Sequence, residues 1–248
     1  MKKIGIIGGS GLDDPDIIHD AKDVDVTTPY GDPTAPLKAG IIEDHEVALV
    51  ARHGREHTYP PTQVNYRANV WALKEHGVDC ILATTAVGSL REEIGRGHLV
   101  VLDQFIDFTR HRSVSFFDAF EPHDAKHTPM ADPFDAELRQ ILIAGCRKLD
   151  IPHHEKGTVV TIEGPRFSTR AESEMFRCWG ADVINMSVAP ECALANEAGV
   201  PYAAVAMSTD YDCWKQDEEP VSWDAILEIF KGNAEKVTNL LLETIRSL

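Results

Sequence analysis

The chain has 248 residues, and its 24 basic and 40 acidic side chains give a formal net charge of −16 at pH 7. Its hydrophobic content of 43% is that of an ordinary globular protein, and we predict a single domain over residues 1–248. The acidic excess argues against nucleic acid or an anionic membrane surface as a partner, and no apolar run is long enough to span a bilayer.

The cysteines and the N-terminus indicate the compartment. Five cysteines are an odd number and show no C-x-x-C spacing, which disfavours a disulfide framework and a zinc knuckle. Two lysines stand near the start, but glycines and acids follow too early for the apolar region of a signal peptide. We therefore expect a cytoplasmic protein.

Short apolar runs alternate with amphipathic stretches in the first third of the chain. Strands are predicted over Lys3–Gly8, Glu46–Ala51 and Asp79–Thr84. Between the last two, Thr62–His76 carries apolar side chains at helical spacing, and Gly77 follows as a typical residue after a helix C-terminus.

The same alternation continues to the end of the chain. Further strands are predicted over Leu99–Phe105, Gly157–Ile162, Asp182–Met186 and Tyr202–Met207. Further helices are predicted after Asp132-Pro133, from Ser168 to Trp179, from Pro190 to Gly199 and from Trp223 to Arg246. The second of these helices has a Thr169…Glu172 capping box. Residues 109–131 lack any period, which is typical of a lid or binding loop.

This alternation predicts the fold class. The strands are continuous apolar runs rather than alternating ones, which is typical of a sheet covered on both faces. We predict an α/β fold with a central mixed, largely parallel β-sheet flanked by helices.

Small and polar residues follow the predicted strands, where open α/β folds bind ligands. These segments are Gly8-Gly9-Ser10-Gly11, Arg52-His53-Gly54, Thr84-Thr85-Ala86, Asn185-Met186-Ser187 and Ser208-Thr209-Asp210-Tyr211-Asp212. Any one of them is explained as well by a plain strand-to-loop turn. Together they predict a cradle for a small anion, because hydroxyls, backbone N–H groups and a guanidinium fork suit phosphate oxygens. The glycine-rich segment matches neither the dinucleotide fingerprint nor the P-loop.

Two further patterns carry chemistry. His53 and His57 match the H-x-x-E-H zinc pattern, but Gly54 disfavours the helix that pattern needs, so a metalloprotease is a minor alternative and no metal is expected. Asp210 and Asp212 lie on the same side of an extended segment just past an apolar run. They are either a solvated turn or a general acid/base pair that grips the edge of a base.

Several motifs resemble those of the 5′-methylthioadenosine phosphorylases, in the trimeric branch of the purine nucleoside phosphorylase family. They stand in the same order and spacing at residues 8–12, 52–57, 64–74, 84–93, 164–172, 179–186 and 208–214. The resemblance covers essentially the whole chain.

The resemblance implies phosphorolysis, in which phosphate attacks the sugar C1′ of 5′-methylthioadenosine and adenine leaves. It implies that phosphate is held by Ser10, Arg52, His53, Thr85, the backbone of Ala86, and Ser187. Phosphate is then a co-substrate, and no cofactor or metal is implied, because the phosphate dianion stabilises the cationic ribosyl transition state.

The nucleoside contacts are also implied by the resemblance. Phe167 forms a wall of the pocket, Asn185 contributes to the hydroxyl contacts and Met186 packs against the ribose. Asp210 assists the leaving base at N7, and both Asp210 and Asp212 accept from the 6-amino group. A 6-oxopurine enzyme of this family is expected to carry Asn here, so the aspartates favour adenine over hypoxanthine.

The specificity residues implied by the resemblance are Ser168, Trp223, His57 and His127. Ser168 helps to set the base preference, His57 lies near the ribose 5′ end, and His127 comes from a neighbouring subunit of a homotrimer or dimer of trimers. Family members often carry Thr where Ser10 stands, a small aliphatic residue where Trp223 stands, and a tail beyond the position of Leu248.

These departures leave the 5′ substituent open. The alternatives are a phosphorylase of the same fold that prefers 5′-methylthioinosine, adenosine or 5′-deoxyadenosine. A nucleotide- or anion-binding module without catalysis is the alternative from a different class.

Overall fold

The computed structural model describes residues 1–9, 17–217 and 223–248, with 223–228 and 230–232 described by their backbone only. The strands are β1 (Lys3–Gly8), β2 (His19–Val24), β3 (Leu37–Ile42), β4 (His45–Ala51), β5 (Cys80–Ser89), β6 (Leu99–Val101), β7 (Gln104–Phe108), β8 (His153–His154), β9 (Thr158–Ile162), β10 (Val183–Asn185) and β11 (Tyr202–Tyr211). The helices are α1 (Tyr66–Glu75), α2 (Ala136–Lys148), α3 (Arg170–Cys178), α4 (Val188–Glu197) and α5 (Trp223–Arg246).

All the described strands belong to one mixed sheet. Its main path runs β2-β3-β4-β1-β5-β10-β9-β7, while β11 pairs with β5 and β6, and β6 with β8. Strands β4, β1, β5 and β11 are parallel, so their carboxyl ends meet at one edge. Strand β10 runs antiparallel to β5, which brings the residues after β10 back beside the middle of β5. The predicted α/β fold with a mixed, largely parallel sheet is confirmed.

Apolar side chains cover both faces of the sheet. On one face, Val70 and Leu73 of α1 and Leu194 of α4 belong to the same buried cluster as Ile81 of β5. On the other, residues of α2 and α5 such as Leu142 and Leu241 pack with Leu82. Burying a side chain of this size contributes about 1.5–3 kcal/mol, so the two layers hold the strand ends in place.

Two strands are longer than predicted, and both contribute to the cavity described below. Strand β5 was predicted to end at Thr84 and β11 at Met207, but they pair with each other up to Ser89 and Tyr211, with a bulge between Ser208 and Asp210. Backbone hydrogen bonds to a partner strand sustain a strand after its apolar run has ended, and a pattern of apolar residues does not report them.

Other boundaries also differ. The strand predicted over Leu99–Phe105 is two strands, β6 and β7, with different partners. Helix α2 begins at Ala136 and is capped by Asp135 rather than Asp132, because the Asp135 carboxylate accepts from the backbone N–H of Leu138. Strands β2, β3 and β8 were missed, since β2 is almost wholly exposed and β8 has two residues.

The remaining predicted elements are present, although helix α1 begins at Tyr66 rather than Thr62 and helix α4 begins at Val188 rather than Pro190. Strand β1 and helix α5 have the predicted bounds, and the Thr169…Glu172 capping box is present. Gly77 has φ +81°, as expected after a helix C-terminus. Residues 109–131, all of them described, contain no helix or strand. None of the helices in the described part of the chain is long and apolar enough to cross a membrane.

Candidate active site

A cavity of about 460 Å³ opens at the edge where the parallel strands end. The turn after β4, the last part of β5, the ends of β10 and β11 and the segment after β9 line it. Its lining includes Arg52, His53, His57, Thr85, Ala86, Gly88, Phe167, Ser168, Asn185, Met186, Ser187, Thr209, Asp210 and Asp212. Most of the residues singled out in the sequence therefore meet in one place.

Arg52 is buried at one end of this cavity and is paired with a carboxylate. Its Nε and Nη2 donate to the two oxygens of Glu191 in α4, and Nη1 donates to the carbonyl of Thr84 at 2.8 Å. The Tyr202 hydroxyl donates to the same carboxylate at 2.9 Å. The guanidinium fork expected to face an anion is directed at Glu191, whose charge offsets that of Arg52.

Glu191 is a site residue that the sequence reasoning missed. A single carboxyl in the otherwise mostly apolar first part of α4 is the signal that could have found it, because a buried acid requires a partner. Gly9, directly after β1, also leaves room for the pair, because a Cβ there would lie 2.5 Å from Nη1 of Arg52. A larger residue at position 9 would push the guanidinium out of this arrangement.

His53 lines the cavity beside Arg52. Its Nδ1 lies 2.9 Å from the carbonyl of Tyr59, and because a carbonyl only accepts, Nδ1 carries the proton. Burial, followed by the charge of Arg52, lowers the pKa of His53 to about 3, so the ring is neutral near pH 7.

The ring of His57 stacks on that of His53 with centroids 4.4 Å apart. Residues 52–57 form turns, as expected, and not the helix that an H-x-x-E-H zinc site requires. No group of three or more metal-ligating side chains is found among the residues that the structure describes.

Hydroxyl groups complete this end of the cavity. The hydroxyl oxygens of Thr85 and Ser187 are 3.3 Å apart, and the Asn185 amide donates to that of Thr85 at 3.2 Å. All three side chains are buried. The backbone of Ala86 lies next to them in β5. This arrangement of small donors suits a tetrahedral anion.

Two carboxylates stand at the other end. The Thr209 hydroxyl donates to Asp210 at 2.8 Å, and the Ser168 hydroxyl donates to Asp212 at 2.6 Å. A Cβ on Gly88 would lie 3.1 Å from Oδ2 of Asp210, so glycine gives the carboxylate room there. Burial and the charge of Asp212 outweigh the Thr209 hydrogen bond and raise the pKa of Asp210 to about 6. A proton is therefore accessible on Asp210 near neutral pH.

The middle of the cavity is apolar. Met186 lines it from the end of β10, and Phe167 from the segment after β9 with 40% of its surface exposed. The sequence reasoning missed Arg112, which lies in the long aperiodic loop and is 2% exposed. It donates to the carbonyls of Met186 and Glu163 and to the Tyr66 hydroxyl, so it ties the loop to the site.

One predicted site residue lies outside this lining, and the side chains of two others are not described by the structure. His127 is exposed, contacts the ring of Phe120 at 5.8 Å between centroids, and does not line the cavity of its own chain. Ser10 and the side chain of Trp223 lie outside the described residues, so their predicted roles stay predictions.

The fold and the cavity together define an α/β protein with a small-molecule site, in which hydroxyl donors suited to an anion face a protonatable carboxylate. The chain belongs to the phosphorylase superfamily, whose family model matches residues 3–246. The resemblance to the 5′-methylthioadenosine phosphorylases is likewise confirmed by comparison with individual proteins.

The relatives are similar over nearly their whole length. The S-methyl-5′-thioadenosine phosphorylase of Xenopus tropicalis is 55% identical over 246 residues, covering 98% of this chain and 88% of the relative. The protein of the same name from Pyrococcus furiosus is 51% identical over 245 residues, covering 99% and 92%. A methylthioadenosine phosphorylase from Schistosoma mansoni in complex with adenine has a TM-score of 0.94 at 44% identity, covering 99% of this chain and 91% of that chain.

Proposed function

We propose that this chain catalyses the phosphorolysis of 5′-methylthioadenosine to adenine and 5-methylthioribose 1-phosphate. The observation that carries the proposal is Asp210, a half-buried carboxyl with a pKa raised to about 6, at the opposite end of one cavity from a cluster of hydroxyl donors. The names of the relatives support the same substrate.

The proposed step breaks one bond and forms one. A phosphate oxygen forms a bond to C1′ of the sugar while the bond from C1′ to N9 of the base breaks, and the bonding electrons pass into the purine. Adenine is a poor leaving group as an anion, so Asp210 protonates N7 and neutral adenine leaves. Asp212 accepts from the 6-amino group, with its carboxylate held by Ser168.

The two ends of the cavity fit this assignment. In the proposal, the phosphate is held by Arg52, His53, Thr85, Ala86 and Ser187, together with Ser10. The proposed reaction then needs no cofactor or metal. Met186, Asn185 and Phe167 contact the nucleoside, and His57 lies toward its 5′ end. We further propose a cytoplasmic homotrimer or dimer of trimers in purine and methionine salvage, with His127 reaching the site of a neighbouring subunit.

One alternative substrate has a specific support. A variant of an adenosine/methylthioadenosine phosphorylase from Schistosoma mansoni in complex with methylthioadenosine matches this chain with a TM-score of 0.91 at 42% identity. Adenosine is therefore the second candidate, ahead of 5′-deoxyadenosine and 5′-methylthioinosine.

The test is the release of adenine from 5′-methylthioadenosine with and without phosphate. We expect release only with phosphate, together with formation of the sugar 1-phosphate. Equal release without phosphate identifies a hydrolase, and no release from any of the four nucleosides identifies a binding module. Relative kcat/KM values across the four nucleosides decide the 5′ substituent and the base, and a preference for hypoxanthine would contradict the role given to the two aspartates.

A further inference from the structure

A chain of hydrogen bonds runs behind the phosphate end of the cavity. The backbone N–H of Ala189 donates to Thr161 Oγ1 at 3.1 Å, and the Thr161 hydroxyl donates to Asn185 Oδ1 at 2.8 Å. The Asn185 amide nitrogen donates to Thr85 Oγ1 at 3.2 Å, and Thr85 Oγ1 lies 3.3 Å from Ser187 Oγ. These atoms connect the first turn of α4 and strand β9 to the cavity.

The direction of this chain follows from its backbone donors. The N–H of Ser187 faces Asn185 Oδ1 at 3.4 Å and can only donate, so the amide oxygen must be on that side. The N–H of Ala189 equally makes Thr161 an acceptor, which leaves the Thr161 proton for Asn185. The amide nitrogen therefore faces Thr85. Were the amide reversed, its oxygen would accept the Thr85 proton and withdraw it from the cavity.

Each link donates toward the cavity, so a hydroxyl proton remains at its end. Because Thr85 Oγ1 already accepts from Asn185, its own proton points to Ser187, to the carbonyl of Ala86 at 3.1 Å, or to an anion. Ser187 is the N-cap residue of α4, yet its side chain makes no capping hydrogen bond to the described helix. If Thr85 donates to Ser187, the Ser187 proton is left to donate to an anion; if Ser187 donates to Thr85, the anion competes with the Ala86 carbonyl for the Thr85 proton.

We propose that Thr161 and Asn185 are positioning residues, which orient the hydroxyl protons of Thr85 and Ser187 as donors toward phosphate. Thr161 is fully buried in β9 and is not among the residues that line the cavity, so it acts through Asn185. Asn185 thereby gains a role beyond the nucleoside contact that the sequence predicts. The inference rests on the proposed phosphorolysis, because it takes phosphate as the anion.

The experiment compares Thr161→Val with Thr161→Ser. Valine has the shape of threonine without the hydroxyl, so we expect the phosphate KM to rise about tenfold, the scale of one or two lost hydrogen bonds. The nucleoside KM at saturating phosphate is expected to change far less, and serine to restore the phosphate KM. Calorimetric binding of inorganic phosphate to the nucleoside-free protein gives a readout that does not depend on turnover.

Asn185→Asp is the second variant and carries the test if Thr161→Val does not fold. A carboxylate keeps the shape but accepts the Thr85 proton and adds a negative charge, so we expect phosphate binding to weaken about a hundredfold or more. Thr244→Val is the matched control, since Thr244 is a buried threonine of α5 whose hydroxyl has no hydrogen-bond partner among the described residues. Its phosphate KM is expected to stay unchanged.

The inference is overturned if Thr161→Val binds phosphate like the wild type, or if its phosphate and nucleoside KM values rise together. Either result shows a merely structural threonine. The proposed function fails separately, when the wild-type protein releases adenine without phosphate.

Discussion

The two ends of the cavity manage charge in opposite ways. At the proposed phosphate end, the carboxylate of Glu191 offsets the charge of the Arg52 guanidinium, and His53 is neutral, so these groups together contribute little net charge. At the base end, Asp210 and Asp212 stand together, and burial raises the pKa of Asp210. Under the proposed function, phosphate is therefore held at one end by directed hydrogen bonds, whereas the leaving base at the other end meets a carboxyl that can supply a proton.

The largest expected effect is at the base end. Asp210→Asn keeps a hydrogen-bond donor for N7 but removes the transferable proton, so we expect kcat for 5′-methylthioadenosine to fall about 10²–10⁴-fold. Wild-type activity should decline as the pH rises above about 6, where Asp210 loses its proton. Steady-state rates from pH 5 to 9 measure both effects. A wild-type kcat for the variant would remove Asp210 from the mechanism.

The same substitution lowers activity but is expected to raise stability at high pH. Folding raises the pKa of Asp210 from 3.8 to about 6. Between these pH values the folded protein therefore binds more protons than the unfolded chain does. The contribution of Asp210 to stability is lost as the pH rises through this window. Asp210→Asn is therefore expected to have a higher Tm than the wild type at pH 8. An unchanged Tm there would contradict the burial of a charged carboxylate.

At the phosphate end, the next effect is on folding. Glu191→Ala leaves the Arg52 guanidinium buried without its carboxylate, and we expect the free energy of unfolding to fall by about 3–5 kcal/mol. Denaturant titration measures this change. Tyr202→Phe is the matched variant, because it removes one hydrogen bond to the same carboxylate and should cost about 1.5–3 kcal/mol. Equal losses for the two variants would show that the Arg52–Glu191 charge pair does not account for the fall in the free energy of unfolding.

The smallest of these effects is expected on the binding of the nucleoside base. Ser168→Ala removes the donor to Asp212, and a hydrogen bond to a charged group contributes about 1.5–3 kcal/mol, so we expect the nucleoside KM to rise roughly tenfold or more. The phosphate KM should change little. Cys213→Ala is the control, since its thiol donates to the Ser168 backbone carbonyl instead of the carboxylate. Equal shifts in both variants would assign the effect to the loop as a whole.

Much of the fold was predictable from local pattern. Strand β1, helix α5 and the capping box of α3 depend on apolar runs and on side chains a few residues apart, which the sequence displays directly. The carboxyl-end segments of the strands were predictable as a group for the same reason. The lengths of β5 and β11 were not, because each is extended by backbone hydrogen bonds to the other.

The sequence by itself determined the α/β class and the types of residue available to the site, since periodicity and the small, hydroxyl and acidic residues after strands are local properties. Only the tertiary structure decided how those residues are paired. Arg52 meets Glu191 across 139 positions, and the antiparallel course of β10 sets Asn185 against Thr85. The physical reason is that charge compensation and hydrogen-bond direction depend on distances between elements that chain order does not specify.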